Sequence, residues 1–375
     1  MTDHGKTSEP PAYALARREI LKGAGALGAL GVLGIPGAAL AQSAAKPIET
    51  LGIGALFTPA LKPIVEKEAN VSLSNGAFQS SVDAVSRLTA PGGTQYDLII
   101  SSFDFSQPVV MGLKAGDERT QPIKTELVPN IKNINEVSQY ALSPRDGKYY
   151  IVPICWGFDT VLYNKDHVPE NDPYTQSWSL LFEDKYAGRI AWWDTSLNML
   201  LAAGLYLGHA KPDLMDRKDL DEVAKFLISK KKNVRTIFTT FAQGTNLLAS
   251  GEVVVAYGLV TMRVELEQKG VNIAGSWAKE GVLSLIQSGY IPKSSTRADT
   301  ANTVINTMLD TTYAGALTRA CGYLSTSKLA QQEFTPEERK RYGFGMFDGT
   351  VKHYPQKMPP NMNMWIETWS RVKSA

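Results

Sequence analysis

From Pro47 onward, apolar runs of strand length alternate with amphipathic stretches of helix length, and this alternation limits the fold more than any other feature. "ETLGIGAL" has the pattern of a strand, "PALKPIVEKEA" carries Leu61, Ile64 and Val65 on one helical face, and "NVSLSNGAF" follows as the next strand. "SSVDAVSRLTA" then spaces Val82, Val85 and Leu88 for a helix with Ser80 or Ser81 as its N-cap, before "YDLIISS" supplies another strand. The same style continues through the strand "RIAWWD", helices over 197–207 and 219–231, a helix at "TNLLAS", the strands "GEVVVAYG" and "GVLSLIQSGYIPK", and the helix "ADTANTVINTMLDT". Strands separated by helices build a parallel sheet covered on both faces, because each crossover lays a helix on the sheet. The fold class is therefore α/β, and a chain of 375 residues is long enough for two such lobes.

No repeat, low-complexity tract or disordered linker separates two parts of the chain. Two lobes without a linker are expected to be joined by strands that cross between them, and "VPICWGFDTVLYNKD" (152–166) is the candidate crossing. Pro153 and Gly157 restrict regular pairing along it, since proline lacks a donor and glycine weakens a strand interior. Trp156, beside that break, is expected near an inter-lobe cleft.

The first 47 residues differ from the rest. A long polar start leads to Arg17, Arg18, Ile20, Leu21 and Lys22, then to a Gly/Ala/Leu stretch from Gly23 to Leu40, and then to "ALAQS". That is the order of an export signal: charged region, apolar region, small-residue cleavage site. The paired arginines and the glycine-diluted apolar region resemble a twin-arginine signal. Residues 1–41 are read as a leader cleaved near Ala41, which places the mature chain in the periplasm. A permanent membrane span is the other reading, but Gly31, Gly34, Pro36 and Gly37 make a poor one.

Composition excludes some functions. With 39 basic against 37 acidic residues the net charge is +2, so bulk electrostatics do not recruit nucleic acid. His167, His209 and His353 are scattered in turn-like surroundings without metal-site spacing, and no phosphate-binding glycine loop follows a strand, so neither metal nor cofactor is expected. Tyr149 and Tyr150 are neighbours that point to opposite faces of a strand, which does not suit a tyrosine cluster for iron. Lys230, Lys231 and Lys232 end a solvated helix. Cys155 and Cys321 are expected free and buried. Arg263 either reaches an anionic ligand or pairs at the surface with Glu267 one helical turn on, the second being favoured.

Taken in order, "LFTPAL", "YDLIISSFDF", "VPICWGFDTVLYNKD", "SWSLLFEDKYAGRIAWWD", "LASGEVVVAYG" and "SGYIPKSSTRADTANTVINTML" resemble the spermidine/putrescine-binding periplasmic proteins, solute receptors of ABC importers. The resemblance spans nearly the whole mature chain. It implies a type II periplasmic-binding-protein fold, a Venus flytrap with crossing hinge strands. Lobe 1 would comprise 48–153 and 276–330, lobe 2 would comprise 154–275, and 331–375 would be a helical segment packing on both. It also implies a polyamine or related amine held in the cleft, an ABC permease in the inner membrane as partner, and no catalytic activity; the leader adds the twin-arginine export machinery. A buried ammonium needs an opposite charge and hydrogen bonds, and gains from an aromatic face.

The residues expected at the ligand follow from the strand ends. Phe57 and Thr58 lie at the carboxyl end of the first strand, where open α/β sheets bind ligands. Ser102 ends the "YDLIISS" strand, with an N-cap as its other role, and Asp104 follows it. Trp156 and Asp159 flank the break in the hinge. Trp193 is preferred over Trp192 because only one of two neighbours on a strand can face the cleft. Asp194, Thr195 and Asn198 follow that strand, with Thr195 and Asn198 standing where the family carries acids. Tyr257 keeps an aromatic position, whereas Leu259 replaces a further acid. Gln287 and Tyr323 complete the set. The alternative is a thiaminase-like cleft enzyme with Cys155 as nucleophile. The tail "MPPNMNMWIETWSRVKSA" is expected to be a structural helix carrying Trp365 and Trp369.

Overall fold

The computed structural model describes residues 46–78 and 81–375. The leader, the cleavage site near Ala41 and Ser80 lie outside the described residues. The strands relevant here are β1 (Ile48–Leu51), β2 (Leu73–Gly76), β3 (Leu98–Ser102), β4 (Val152–Asn164), β5 (Ile190–Trp193), β6 (Val234–Phe238), β7 (Val255–Leu259), β8 (Ile273–Gly275), β9 (Val282–Pro292), β10 (Leu324–Ser325) and β11 (His353–Pro355). The helices are α1 (Lys62–Glu68), α2 (Ser81–Leu88), α3 (Phe103–Met111), α4 (Ser196–Tyr206), α5 (Arg217–Lys230), α6 (Phe241–Ala249), α7 (Val260–Gln268), α8 (Ala298–Met308), α9 (Thr311–Cys321), α10 (Pro336–Tyr342) and α11 (Met362–Ser374).

One continuous sheet runs β2–β1–β3–β9–β4–β7–β5–β6. Its two wings are parallel, as alternating strands and helices dictate: β1 with β2 and β3, and β5 with β6 and β7. Between them, β9 and β4 are antiparallel to each other, and each is antiparallel to the wing beside it. The uniformly parallel sheet read from the sequence is thus corrected at its centre. Two long strands there connect wings that each follow the parallel rule.

The stretch "VPICWGFDTVLYN" is a single strand, β4, with all thirteen residues buried. Its two awkward residues are accommodated separately. Opposite Pro153 the partner strand shifts register between Gln287 and Ser288, so the missing donor falls at an irregularity. Gly157 sits under the Tyr323 ring, and a β-carbon there would stand 2.5 Å from Tyr323 Cε1. Glycine at 157 is therefore a packing requirement.

Buried apolar side chains divide along this strand. Val152, Ile154, Cys155, Trp156 and Phe158 belong to a core shared with β1, β3, β9, α8 and α9. Val161 and Tyr163 belong to a second core with β5, β7, α4, α5 and the tryptophans of α11. A third, smaller cluster under β7 and α6 includes Leu162, Phe238 and Met262. The terminal helix α11 buries Trp365 and Trp369, as its spacing predicts. The face assigned to α2 is corrected: Ala84 and Leu88 are buried, while Val82 is 52% exposed. Ser81 is the first residue of α2, and its Oγ accepts a hydrogen bond from the Ser102 N–H at 3.2 Å. Among the described residues no helix is long and apolar enough to cross a membrane.

Candidate ligand-binding site

Asp159 lies at the seam between the cores, in register opposite Leu259 on β7 and Leu283 on β9. It is 1% exposed. Three donors converge on its Oδ2: Tyr257 Oη at 2.6 Å, Asn198 Nδ2 at 2.8 Å and Gln356 Nε2 at 2.9 Å. Its Oδ1 is buried with no partner among the described residues. Burial pushes the carboxyl pKa up to about 7, against the three hydrogen bonds, which favour the charged form. Asn198 also donates to Gln356 Oε1 at 3.0 Å and accepts from Thr195 Oγ1 at 3.1 Å. Tyr257 lies between two indoles, its centroid 5.7 Å from Trp178 and 5.6 Å from Trp193, and Trp193 in turn packs on Phe241 at 4.6 Å.

A second carboxylate sits at the start of α3. Burial raises Asp104 to about 6, Lys357 opposes that rise, and Asp213 adds a little to it. Asp104 Oδ2 is also buried without a partner. Neighbouring Phe103 begins an aromatic chain with ring centroids 5.5 Å to Tyr140, 6.5 Å from there to Trp156, and 5.2 Å from Trp156 to His353. His353 Nδ1 is 2.9 Å from Ser284 Oγ, and burial lowers its pKa. Tyr140 is half exposed, so this chain reaches solvent.

Several expected residues end on unpartnered polar atoms. Thr58 Oγ1, Ser102 Oγ, Asp104 Oδ2, Asp159 Oδ1 and Gln287 Oε1 are all buried and lack partners among the described residues. Ser102 occupies the N-cap position of α3 but makes no capping bond, and Gln287 is its register partner across β3 and β9. Buried polar groups are nearly always paired, so such a set needs an explanation.

Other expected residues are engaged in packing or with other partners. Asp194 is taken by the terminal helix: Trp369 Nε1 donates to Oδ1 at 2.8 Å and Lys373 Nζ to Oδ2 at 2.9 Å. Burial alone would raise its pKa, yet these bonds prevail and hold it below the usual carboxylate value. Tyr323 is core, its ring seated on Gly157. Phe57 is buried in the first core, its ring edge 3.0 Å from where a β-carbon on Gly52 would lie. Trp156 is enclosed as well, its Nε1 donating to Ser138 Oγ at 2.7 Å. Trp192 donates to the Leu181 carbonyl at 3.0 Å, and its ring lies 6.4 Å from that of Trp369. Cys155 and Cys321 are free and buried. Burial raises the Cys155 thiol well above its ordinary pKa, which disfavours the thiolate that the enzyme alternative needs.

Sequence reasoning missed Ser138, Tyr140, Ser284, Gln356 and Lys357, and treated His353 as a stray. Gln356 and Lys357 follow β11, which pairs with Val282–Ser284, and the Gln356 N–H donates to the Ser284 carbonyl at 2.8 Å. The available signal was the run "HYPQK", polar and aromatic between two helical stretches. It lies some two hundred residues from Asp159, and nothing local links the two.

The family model for bacterial extracellular solute-binding proteins matches residues 67–342. The chain belongs to this family. The putrescine-binding periplasmic protein of Escherichia coli is 24% identical over 329 residues, covering 82% of this chain and 86% of that protein. The spermidine/putrescine-binding periplasmic protein of Salmonella typhimurium is 23% identical over 281 residues, covering 74% of this chain and 77% of that one. Among solved structures, the spermidine/putrescine ABC transporter substrate-binding protein of Streptococcus pneumoniae superposes with a TM-score of 0.72 at 18% identity, covering 88% of this chain and 99% of that one. The architecture is that of the two-lobed α/β solute-binding proteins, and the family's role is capture of a solute.

Proposed function

We propose that the protein captures a small organic amine, a polyamine such as putrescine or spermidine or a close relative, between its lobes and delivers it to an ABC permease in the inner membrane. The observation that carries this reading is the buried Asp159 carboxylate, with one oxygen unpartnered and the stacked Tyr257 beside it. A desolvated carboxylate next to aromatic faces suits an ammonium bearing an apolar chain. Leu259 stands where polyamine receptors place an acid. Asp159 is directly across the strand pair from it, so one carboxylate returns to the same part of the site from the neighbouring strand. Asp104, also with an unpartnered oxygen, is the candidate for a second ammonium.

In this reading the Gln356 amide, which donates to Asp159, yields to the ligand's N–H donors. The names of the relatives support the ligand class. The lobes would divide as 48–153 with 276–330 and 154–275, and the segment 331–375 would supply Gln356 and the α11 brace. Export by the twin-arginine machinery, cleavage near Ala41 and residence in the periplasm complete the proposal.

The test is calorimetry of the purified protein with putrescine, spermidine, single amines and small organic acids. Saturable binding of an amine, lost in Asp159→Asn, is the expected result. Binding confined to acids or neutral solutes, or amine binding indifferent to Asp159→Asn, overturns the reading.

A further inference from the structure

A groove whose lining includes none of the Asp159 cluster opens elsewhere on the molecule. Its volume is about 1020 Å³, and it is walled by α7, β8 and α10. Arg263 of α7 lines it and is only 4% exposed, so the expected pair with Glu267, present at 3.8 Å, is buried at the arginine rather than lying at the surface. One terminal nitrogen is committed: Nη1 donates to the Arg341 carbonyl at 2.6 Å. Nε and Nη2 are both buried and have no hydrogen-bond partner among the described residues. These two atoms form one edge of the guanidinium, the fork that matches two oxygens of a planar anion.

The internal partner Glu267 makes an ion pair with Arg263 but no hydrogen bond. Glu267 Oε1 stands 3.8 Å from Nε, beyond hydrogen-bonding distance, while Arg341 Nη2 holds Glu267 Oε2 at 2.5 Å. The rest of the lining is balanced in charge. Lys165, Arg263, Lys340 and Arg341 face Glu170, Glu267 and Glu337, so the lining carries one positive charge in excess even with Glu267 shared between Arg263 and Arg341. Three carboxylates nearby disfavour a dianion and leave room for a single negative charge. Trp277 and Val271 add apolar wall for the remainder of a ligand.

We propose that this groove binds an organic monocarboxylate, its two oxygens bridged by Nε and Nη2 of Arg263. The site is separate from the amine site and stands whether or not that reading holds.

Titration of ¹⁵N-labelled protein with acetate, against sodium chloride at equal ionic strength, tests it through the Arg263 Nε–H resonance, identified by its absence in Arg263→Lys. The expected result is a saturable shift with acetate and none with chloride. Should Arg263→Lys fail to fold, Glu267→Gln serves. Removing the negative charge beside Nε should tighten acetate several-fold at the same resonance. No saturable shift in folded protein overturns the proposal, as does an affinity unchanged by Glu267→Gln. Saturation by inorganic phosphate without acetate binding overturns the carboxylate assignment. Asp159→Asn should leave this titration unchanged while removing amine binding, so failure of one site is distinguishable from failure of the other.

Discussion

Asp159 makes function and stability pull against each other. Folding raises its pKa from an ordinary 3.8 to about 7, so the folded chain keeps a proton that the unfolded chain releases between about pH 4 and pH 7. Its contribution to stability therefore falls as pH rises through that window and levels off above it. His353 titrates in the opposite sense, because burial lowers its pKa and acid must charge it. The comparison must be made against a variant that keeps the histidine. Asp159→Asn should be more stable than the wild type at pH 8 by on the order of 1–3 kcal/mol, seen as a higher melting temperature, and the gap should close toward pH 4. Thermal melts across pH check this, and the same variant should bind no amine. At Gln356 the expectation is different. Gln356→Ala removes a donor from Asp159 and a competitor for the ligand, so amine affinity should rise while ligand-free stability drops by about 1 kcal/mol.

At the scale of elements, β4 and α11 carry the consequences. β4 holds its line past Gly157 because Tyr323 lies where a side chain would go. Gly157→Ala should cost about 1–3 kcal/mol through overpacking, and Tyr323→Leu in the same chain should recover part of it. Urea midpoints of the three proteins measure the coupling. The helix α11 ties itself to the end of β5 through Trp369 and Lys373 on Asp194. Trp369→Ala should cost about 3–5 kcal/mol, since it empties a core site and unpairs part of that carboxylate. Asp194→Asn should weaken this tie without changing amine affinity, because both carboxylate oxygens already face the helix. Much of this was legible beforehand: β4, the strands with their helices, and α11 with its tryptophans all follow from local periodicity. The burial of α2 on Ala84 rather than Val82 was not, since which stripe of a weakly apolar helix turns inward depends on the neighbour it meets.

For the whole molecule, ligand binding should appear as stabilisation of the entire fold, because the site lies at the seam between two cores that share β4 and β9. An amine at a hundred times its dissociation constant should add about 2.7 kcal/mol, read as a rise in melting temperature. Closure of lobes around a ligand also predicts a smaller radius of gyration in solution scattering with amine than without. The candidate site was partly readable before the fold. Asp104, Asp159, Asn198, Tyr257 and Gln287 all carry polar atoms that the structure leaves unpartnered or gathers on one carboxylate. Asp194 and Tyr323 resembled them in sequence and were claimed by packing instead.

The sequence by itself determined the α/β class, the crossing strand and the family, because each rests on periodicity or on ordered motifs that local chemistry imposes. Only the tertiary structure decided which carboxylates keep an unpartnered oxygen, that Gln356 meets Asp159, and that Arg263 lies buried with two nitrogens lacking hydrogen bonds. Those outcomes depend on partners brought together from segments far apart in the chain, and burial and hydrogen-bond satisfaction are properties of the assembled neighbourhood rather than of any residue in it.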